Sequence, residues 1–338
     1  MMRILITGAS GFLGSHLMLH HLKKGDTVLG VDNFCSSDKD SEHAKLINTL
    51  CLASGKGMLI ECDIIESRPG WCLTDVVEAF KLKHMAHENF DLIYNMACPA
   101  SPPKYQEMPI LTMMTCVAGT GAVLDLADRH DAIVVQASTS EVYGDPDVSP
   151  QHESCLGNVN SYGPRACYDE GKRAAEALCY DYLNTYKVDV RIARIFNTYG
   201  PHMDPHDGRV VSNFICQALR GEPMTVFGDG KQTRSFCYVD DMIRGLVALG
   251  SMNTNPLGPV NIGNPTELSV EGIANTISKK VTGHMSSVIR RQPLPVDDPR
   301  QRCPDISRAR ELLGWEPIVD LDAGLDATIG YFRNIMKR

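Results

Sequence analysis

The chain has 338 residues, of which 43% are hydrophobic, 22% charged and 7% aromatic, a globular composition that excludes a disordered or low-complexity protein. Its length exceeds one ordinary core, so one large domain or two of typical size are expected. A formal net charge of -8 offers no basic footprint for nucleic acid or an anionic membrane surface, and an anionic ligand would need local arginines.

Residues 3–7 form a short run of β-branched and leucine side chains, followed by Gly8-Ala9-Ser10-Gly11-Phe12-Leu13-Gly14 and then helical apolar spacing over 15–24. This predicts strand, glycine turn and helix, with a pyrophosphate at the positive helix N-terminus. The next predicted strand, 27–31, ends in Asp32-Asn33, 18 residues after Gly14. A carboxylate there can hold a ribose 2′-hydroxyl and repels a 2′-phosphate, which favours NAD over NADP. Residues 35–57 read as a loop with one short helix, and 58–64 as a third strand in which Asp63 either touches adenine or caps the following turn. A helix over 73–86 and a strand over 90–97 continue the alternation, which makes the sheet parallel and doubly wound.

Cys98-Pro99-Ala100-Ser101-Pro102-Pro103-Lys104-Tyr105 carries three prolines and predicts an irregular loop at the carboxyl edge of the sheet, where ligands of such folds bind. Tyr105 is either a packing residue or a substrate contact. A helix over 111–129 and a strand over 132–137 lead into Ser138-Thr139-Ser140-Glu141. The three hydroxyls and the carboxylate are expected to face the cleft of the glycine turn. There they can hold a sugar hydroxyl or keto oxygen and supply a base, or else act as a cap. On the next helix, running to about Tyr186, Tyr168 and Lys172 stand four residues apart and share a face. The ammonium is expected to pull the phenol below its usual value of about 10, so that it can take and return a hydroxyl proton.

Through Gly8-x-x-Gly11-x-x-Gly14, the strand-end serine and threonine, and Tyr168-x-x-x-Lys172, the chain resembles the extended short-chain dehydrogenase/reductase family. Within it, residues 97–103, 138–146, 163–173, 193–201, 207–213, 232–234 and 304–306 resemble the branch that decarboxylates UDP-glucuronate. The resemblance implies an α/β fold: a doubly wound parallel Rossmann-type sheet with a smaller C-terminal α/β substrate lobe. An NAD-binding domain is expected over 1–196 and a UDP-sugar lobe over 197–338, with the chain free to cross back.

The resemblance implies cofactor contacts from Gly8, Gly11, Phe12, Leu13, Gly14, Asp32, Asn33, Asp63, Ile64, Ala97, Tyr168 and Lys172. It implies substrate contacts from Pro102, Tyr105, Asn197, Arg209, Val211, Asn213, Thr225, Phe227, Gln232, Arg234 and Arg302, with Arg234 on the diphosphate. The implied reaction is NAD-dependent decarboxylation of UDP-glucuronate to UDP-xylose through a 4-keto sugar, with Tyr168, Lys172, Thr139, Ser140, Glu141 and Arg302 as the catalytic set. The alternatives are release of a UDP-4-keto-pentose with NADH, a UDP-sugar 4-epimerase, or a non-enzymatic nucleotide sensor. Ser140 argues against a 4,6-dehydratase, which needs an acid at that position. The family resemblance also implies a homodimer through the helices near 111–129 and 165–186.

No metal site is expected, because twelve cysteines are scattered from Cys35 to Cys303 without a Cys-x-x-Cys pair and read as reduced core residues. The first strand leaves no room for a signal peptide, and no apolar run reaches the ~18 residues of a membrane span. A cytoplasmic protein without a membrane or nucleic-acid partner is the expectation.

Overall fold

The computed structural model describes residues 1–65, 72–84, 88–284 and 288–337. Its strands are β1 (Arg3–Thr7), β2 (Thr27–Asp32), β3 (Gly57–Glu61), β4 (Leu92–Asn95), β5 (Ile133–Thr139), β6 (Val190–Ile195), β7 (Thr198–Tyr199), β8 (Met224–Phe227), β9 (Thr233–Ser235), β10 (Cys237–Tyr238), β11 (Val260–Ile262), β12 (Glu267–Ser269) and β13 (Ile289–Gln292). Its helices are α1 (Phe12–Lys24), α2 (Glu42–Ser54), α3 (Leu73–His84), α4 (Pro102–Glu107), α5 (Pro109–Met114), α6 (Thr120–His130), α7 (Ala166–Thr185), α8 (Val210–Arg220), α9 (Val239–Gly250), α10 (Val270–Thr282), α11 (Ser307–Leu313) and α12 (Leu321–Ile335).

The seven-stranded sheet has the order β3-β2-β1-β4-β5-β6-β11, and all its neighbours are parallel. Its strands are continuous apolar runs because helices cover both faces. Successive residues of β1 enter opposite cores, as the two-residue strand period requires. Ile4 and Ile6 pack with Leu17 and Met18 of α1. Leu5 joins Val77 and Phe80 of α3 and Val123 and Leu124 of α6. Each fully buried aliphatic side chain stabilises this arrangement by about 1.5–3 kcal/mol. Strand order reverses between β1 and β4, so the crevice for a ligand opens at their carboxyl ends.

Beyond residue 196 the chain contributes to both layers. The pair β8 and β13, together with α8 and α10, builds a smaller unit, while β11 pairs with β6 in the main sheet.

Two local expectations change. The proline-rich loop closes into the short helix α4, because Pro102 and Pro103 occupy its first turn, where a missing N–H costs nothing. The helix expected over 111–129 is made of α5 and α6 joined by a π-turn at Thr115–Gly119. Helix α3 ends at His84 within the described residues, and the last two positions of the expected 73–86 helix lie outside them. One stretch, Pro109–His130, is also long and apolar enough by composition to cross a membrane, contrary to the sequence reading, and half of it is buried inside the fold.

Candidate active site

The turn between β1 and α1 is built for a close approach of backbone. Gly8 has φ 64, and a Cβ on Gly14 would lie 2.1 Å from the Gly8 carbonyl oxygen. Gly11 caps α1 without a side-chain hydrogen bond, so the first-turn N–H groups point outward at a positive helix end. Asp32, nearly fully buried at the end of β2, accepts hydrogen bonds from the backbone N–H of Ser10 (2.9 Å) and Phe34 (2.8 Å). Burial raises its carboxyl above the ordinary value despite these donors. Asp63 accepts from Asn33 Nδ2 at 2.8 Å and from the Ile65 N–H at 3.0 Å. Asp32, Asn33, Asp63, Ile64 and Ala97 together line a small cavity at this edge.

A larger cavity of about 750 Å³ runs from Gly8, Gly11, Phe12, Leu13 and Gly14 across the carboxyl end of β5 to the second unit. Thr139, Ser140, Glu141, Tyr168, Lys172 and Arg302 all border it. So do Pro102, Tyr105, Asn197, Arg209, Val211, Asn213, Thr225, Phe227, Gln232 and Arg234. The hydroxyls of Ser10 and Tyr105 are buried without a hydrogen-bond partner, although both residues line this cavity. Unsatisfied buried donors beside a glycine turn fit a polar ligand such as a dinucleotide and a sugar.

Tyr168 lies beneath Tyr105, their rings stacked with centroids 5.0 Å apart and planes 7° from parallel. Lys172 Nζ sits 5.8 Å from the Tyr168 ring centroid and donates to the Ala137 carbonyl at 2.8 Å. The expected lowering of the phenol is not what this environment produces. Burial pushes Tyr168 well above its ordinary value, and the Thr139 hydroxyl is the hydrogen-bonding neighbour that pulls the other way. The ammonium's attraction is smaller than the cost of placing a phenolate among apolar groups.

The hydroxyl cluster also divides. Ser138 donates to Glu176 Oε1 at 2.5 Å, on the side where Arg194 binds the same carboxylate. Its hydroxyl therefore serves packing between β5, α7 and β6. Thr139 accepts from the Glu141 N–H at 3.2 Å and so caps a short 3-10 turn over Ser140–Tyr143.

Glu141 is clamped. Arg302 donates to its Oε2 at 2.5 Å and Arg165 donates to the same oxygen. Burial raises this carboxyl, but the Arg302 and Arg165 charges outweigh that and hold it below its ordinary value. A carboxylate stabilised as the anion is a poor resting base, so Glu141 is suited to accepting hydrogen bonds instead. Arg302, nearly fully buried, also donates to the carbonyls of Ser140 (2.9 Å) and Gly144 (3.0 Å).

Arg234 donates to Asp298 Oδ2 at 2.9 Å and to the Pro299 carbonyl at 2.7 Å. Arg209 is bidentate on Asp207, at 2.5 and 2.7 Å. Both guanidiniums thus border the cleft while engaged by internal carboxylates.

The sequence reading omits two residues of this cluster. Arg165 is one turn before Tyr168 on the same helical approach, so an i, i+3 relation to Tyr168 was available as a signal. Asp298 comes from a segment 133 positions further on and bridges Arg234 and Arg165, which no local pattern announces. Asp169 lies beside Arg165, and burial with the charge of Glu141 raises its carboxyl to about 7.

The model for the family described as "NAD dependent epimerase/dehydratase family" matches residues 4–263. The chain belongs to this family. Within it, the chain is 48% identical to UDP-glucuronic acid decarboxylase 1 of Xenopus tropicalis, over 99% of this chain and 73% of that protein. It is 47% identical to UDP-glucuronic acid decarboxylase 3 of Arabidopsis thaliana, over 96% of this chain and 87% of that one. Among solved family folds, a UDP-glucose 4-epimerase of Thermotoga maritima with UDP-glucose superposes with a TM-score of 0.83 at 26% identity, covering 99% of this chain and 100% of its own. A UDP-glucuronic acid 4-epimerase of Bacillus cereus in complex with UDP-glucuronic acid and NAD gives 0.82 at 28% identity, with the same coverage. The family's dependence on NAD agrees with the glycine turn and Asp32 described above.

Proposed function

We propose that the chain is an NAD-dependent UDP-glucuronate decarboxylase, a carboxy-lyase that forms UDP-xylose through a UDP-4-keto sugar. The chemistry that NAD+ would supply when bound is reversible acceptance of the hydride from carbon 4 of the sugar. Gly8, Gly11, Phe12, Leu13 and Gly14, which line the large cavity, would hold its pyrophosphate side, and Asp32, Asn33, Asp63, Ile64 and Ala97, which line the small one, its adenosine side. Tyr168 takes the 4-hydroxyl proton as its phenolate, a form that the Lys172 charge, the Thr139 hydrogen bond and the positive charge of bound NAD+ would favour against the burial described above. Carboxylate loss from the β-keto acid sends electrons to the 4-keto oxygen. There the Tyr168 proton and the Thr139 and Ser140 hydroxyls stabilise the enolate. Glu141 orients sugar hydroxyls as an acceptor, and Arg302 fixes Glu141. Tyr105, Asn197, Val211, Asn213, Thr225, Phe227 and Gln232 border the UDP-sugar, with Arg209 and Arg234 towards the diphosphate.

The observation that carries this reading is one cleft in which the Tyr168-Lys172-Thr139 group meets the Glu141-Arg302-Arg165 group, in a chain 48% identical to a UDP-glucuronic acid decarboxylase. The solved UDP-glucuronic acid 4-epimerase favours one competing reading, in which the carboxylate stays and carbon 4 inverts. Incubation with UDP-glucuronate and NAD+ separates the two. The expected result is CO2 and UDP-xylose in equal amounts without net NADH. Inversion with the carboxylate retained overturns the proposal, and stoichiometric NADH assigns a released UDP-4-keto-pentose instead.

The proposal includes a homodimer, supported by exposed Ile110 and Met114 on α5 and Tyr180 on α7. It also includes a cytoplasmic location without nucleic-acid or membrane partners, supported by the net charge of -8 and by free cysteines throughout the described residues.

A further inference from the structure

Cys98 and Cys116, eighteen residues apart in sequence, meet with their sulfurs 3.3 Å apart. Cys98 follows β4 and lines both the large and the small cavity, so its side of the pair is reachable from the cleft. Cys116 sits in the π-turn between α5 and α6, nearly fully buried. A Cβ added to Gly171 would lie 3.0 Å from its Cβ, which places Cys116 against α7 at the residue preceding Lys172. The π-turn inserts one extra residue into the helix at this thiol.

We propose that Cys98 and Cys116 form a dithiol oxidised by peroxide to a disulfide that straps the Cys98 loop to the π-turn beneath α7. The hydrogen bond shared with Cys98 and the Lys172 charge lower Cys116 against the burial that opposes them. Cys116 is therefore the member of the pair that more readily supplies the thiolate. The thiolate attacks hydrogen peroxide, an S–O bond forms, the O–O bond breaks, and the departing hydroxide leaves as water with the Cys98 proton. The Cys98 thiolate then attacks the Cys116 sulfenic acid. The S–S bond forms, the S–O bond breaks, and hydroxide leaves to be protonated by solvent. Two thiols lose two electrons and peroxide becomes two waters. Closing 3.3 Å to the ~2.0 Å of a disulfide draws the chain leading into α4, and so to Tyr105, toward α7.

The test is a thiol map of the whole protein. Peroxide is applied to the folded chain, remaining thiols are blocked with N-ethylmaleimide, and the protein is digested with trypsin, which cuts after Lys104 and so separates the two cysteines. The expected product is a pair of peptides joined through Cys98 and Cys116, lighter by two hydrogens than their sum, and separated again by dithiothreitol. Two titratable thiols are lost in the folded wild type, and none at this pair in Cys116→Ser. Links confined to other cysteines, or full blocking of Cys98 and Cys116 after oxidation, overturns the proposal. The wild-type map decides the matter even where the variant does not fold, and it is read without reference to the reaction catalysed.

Discussion

Glu141 shows how much of the site rests on a single charge. Its carboxylate lies between two buried guanidiniums, and Glu141→Gln would leave Arg302 without its anion and Arg165 with only the more distant Asp169 and Asp298. The expected cost is about 3 kcal/mol of stability, measured by urea denaturation, together with a loss of turnover. Because the folded carboxyl is held below its ordinary value, the stability it contributes is present above the unfolded value and is lost as pH falls through the folded one. An unchanged denaturation midpoint in the glutamine variant would show that the arginines have other partners. Tyr105 makes the opposite case. Its hydroxyl is buried and unpaired, so Tyr105→Phe is expected to leave the free protein as stable or slightly more so while raising KM for the UDP-sugar. A loss of more than about 1 kcal/mol with KM unchanged would make Tyr105 a packing residue only.

Elements set by local geometry were legible in the sequence, and those set by long-range meetings were not. The turn from β1 to α1 belongs to the first kind, since Gly8, Gly11 and Gly14 each meet backbone at short range. Gly14→Ala is expected to lower NAD affinity at least tenfold by calorimetry, because its Cβ has no space beside the Gly8 carbonyl; unchanged affinity would contradict that role. Tyr168 and Lys172 share a face of α7 by spacing alone, and the structure brings both to the large cavity. Ser138, Thr139 and Ser140 all line the large cavity, and what a run of hydroxyls does not announce is the pairing of the Ser138 hydroxyl with Glu176. The pairing of Asp298 with Arg234 and Arg165 depends on tertiary folding, and the phenol of Tyr168 depends on burial, which spacing does not report.

At the scale of the whole molecule, acid stability is set by histidines inside the fold. Burial lowers His21, His130 and His202 to about 4. Unfolded histidines take protons first, near 6.5, so the stability these residues permit is present above that value and is lost as pH falls toward the folded one. For the fully buried His21 and His130 this amounts to about 2 kcal/mol each between pH 7 and 5. Asp169 acts in the other direction, because burial and the charge of Glu141 raise its folded value and its protonation favours the native state on acidification. The histidines outnumber it, so the denaturation midpoint is expected to fall from pH 7 to pH 5. A midpoint constant over that range would show that these imidazoles are protonated in the native state.

The most direct measurement follows carbon 6. UDP-glucuronate labelled in its carboxylate is incubated with NAD+ and the wild-type protein or Tyr168→Phe, with NAD binding to both measured in parallel. The expected result is labelled CO2 from the wild type, release lowered by at least about a hundredfold in the variant, and NAD bound nearly equally by the two. Label retained in the nucleotide sugar by the wild type, or released at the same rate by Tyr168→Phe, would contradict a decarboxylase working through this tyrosine.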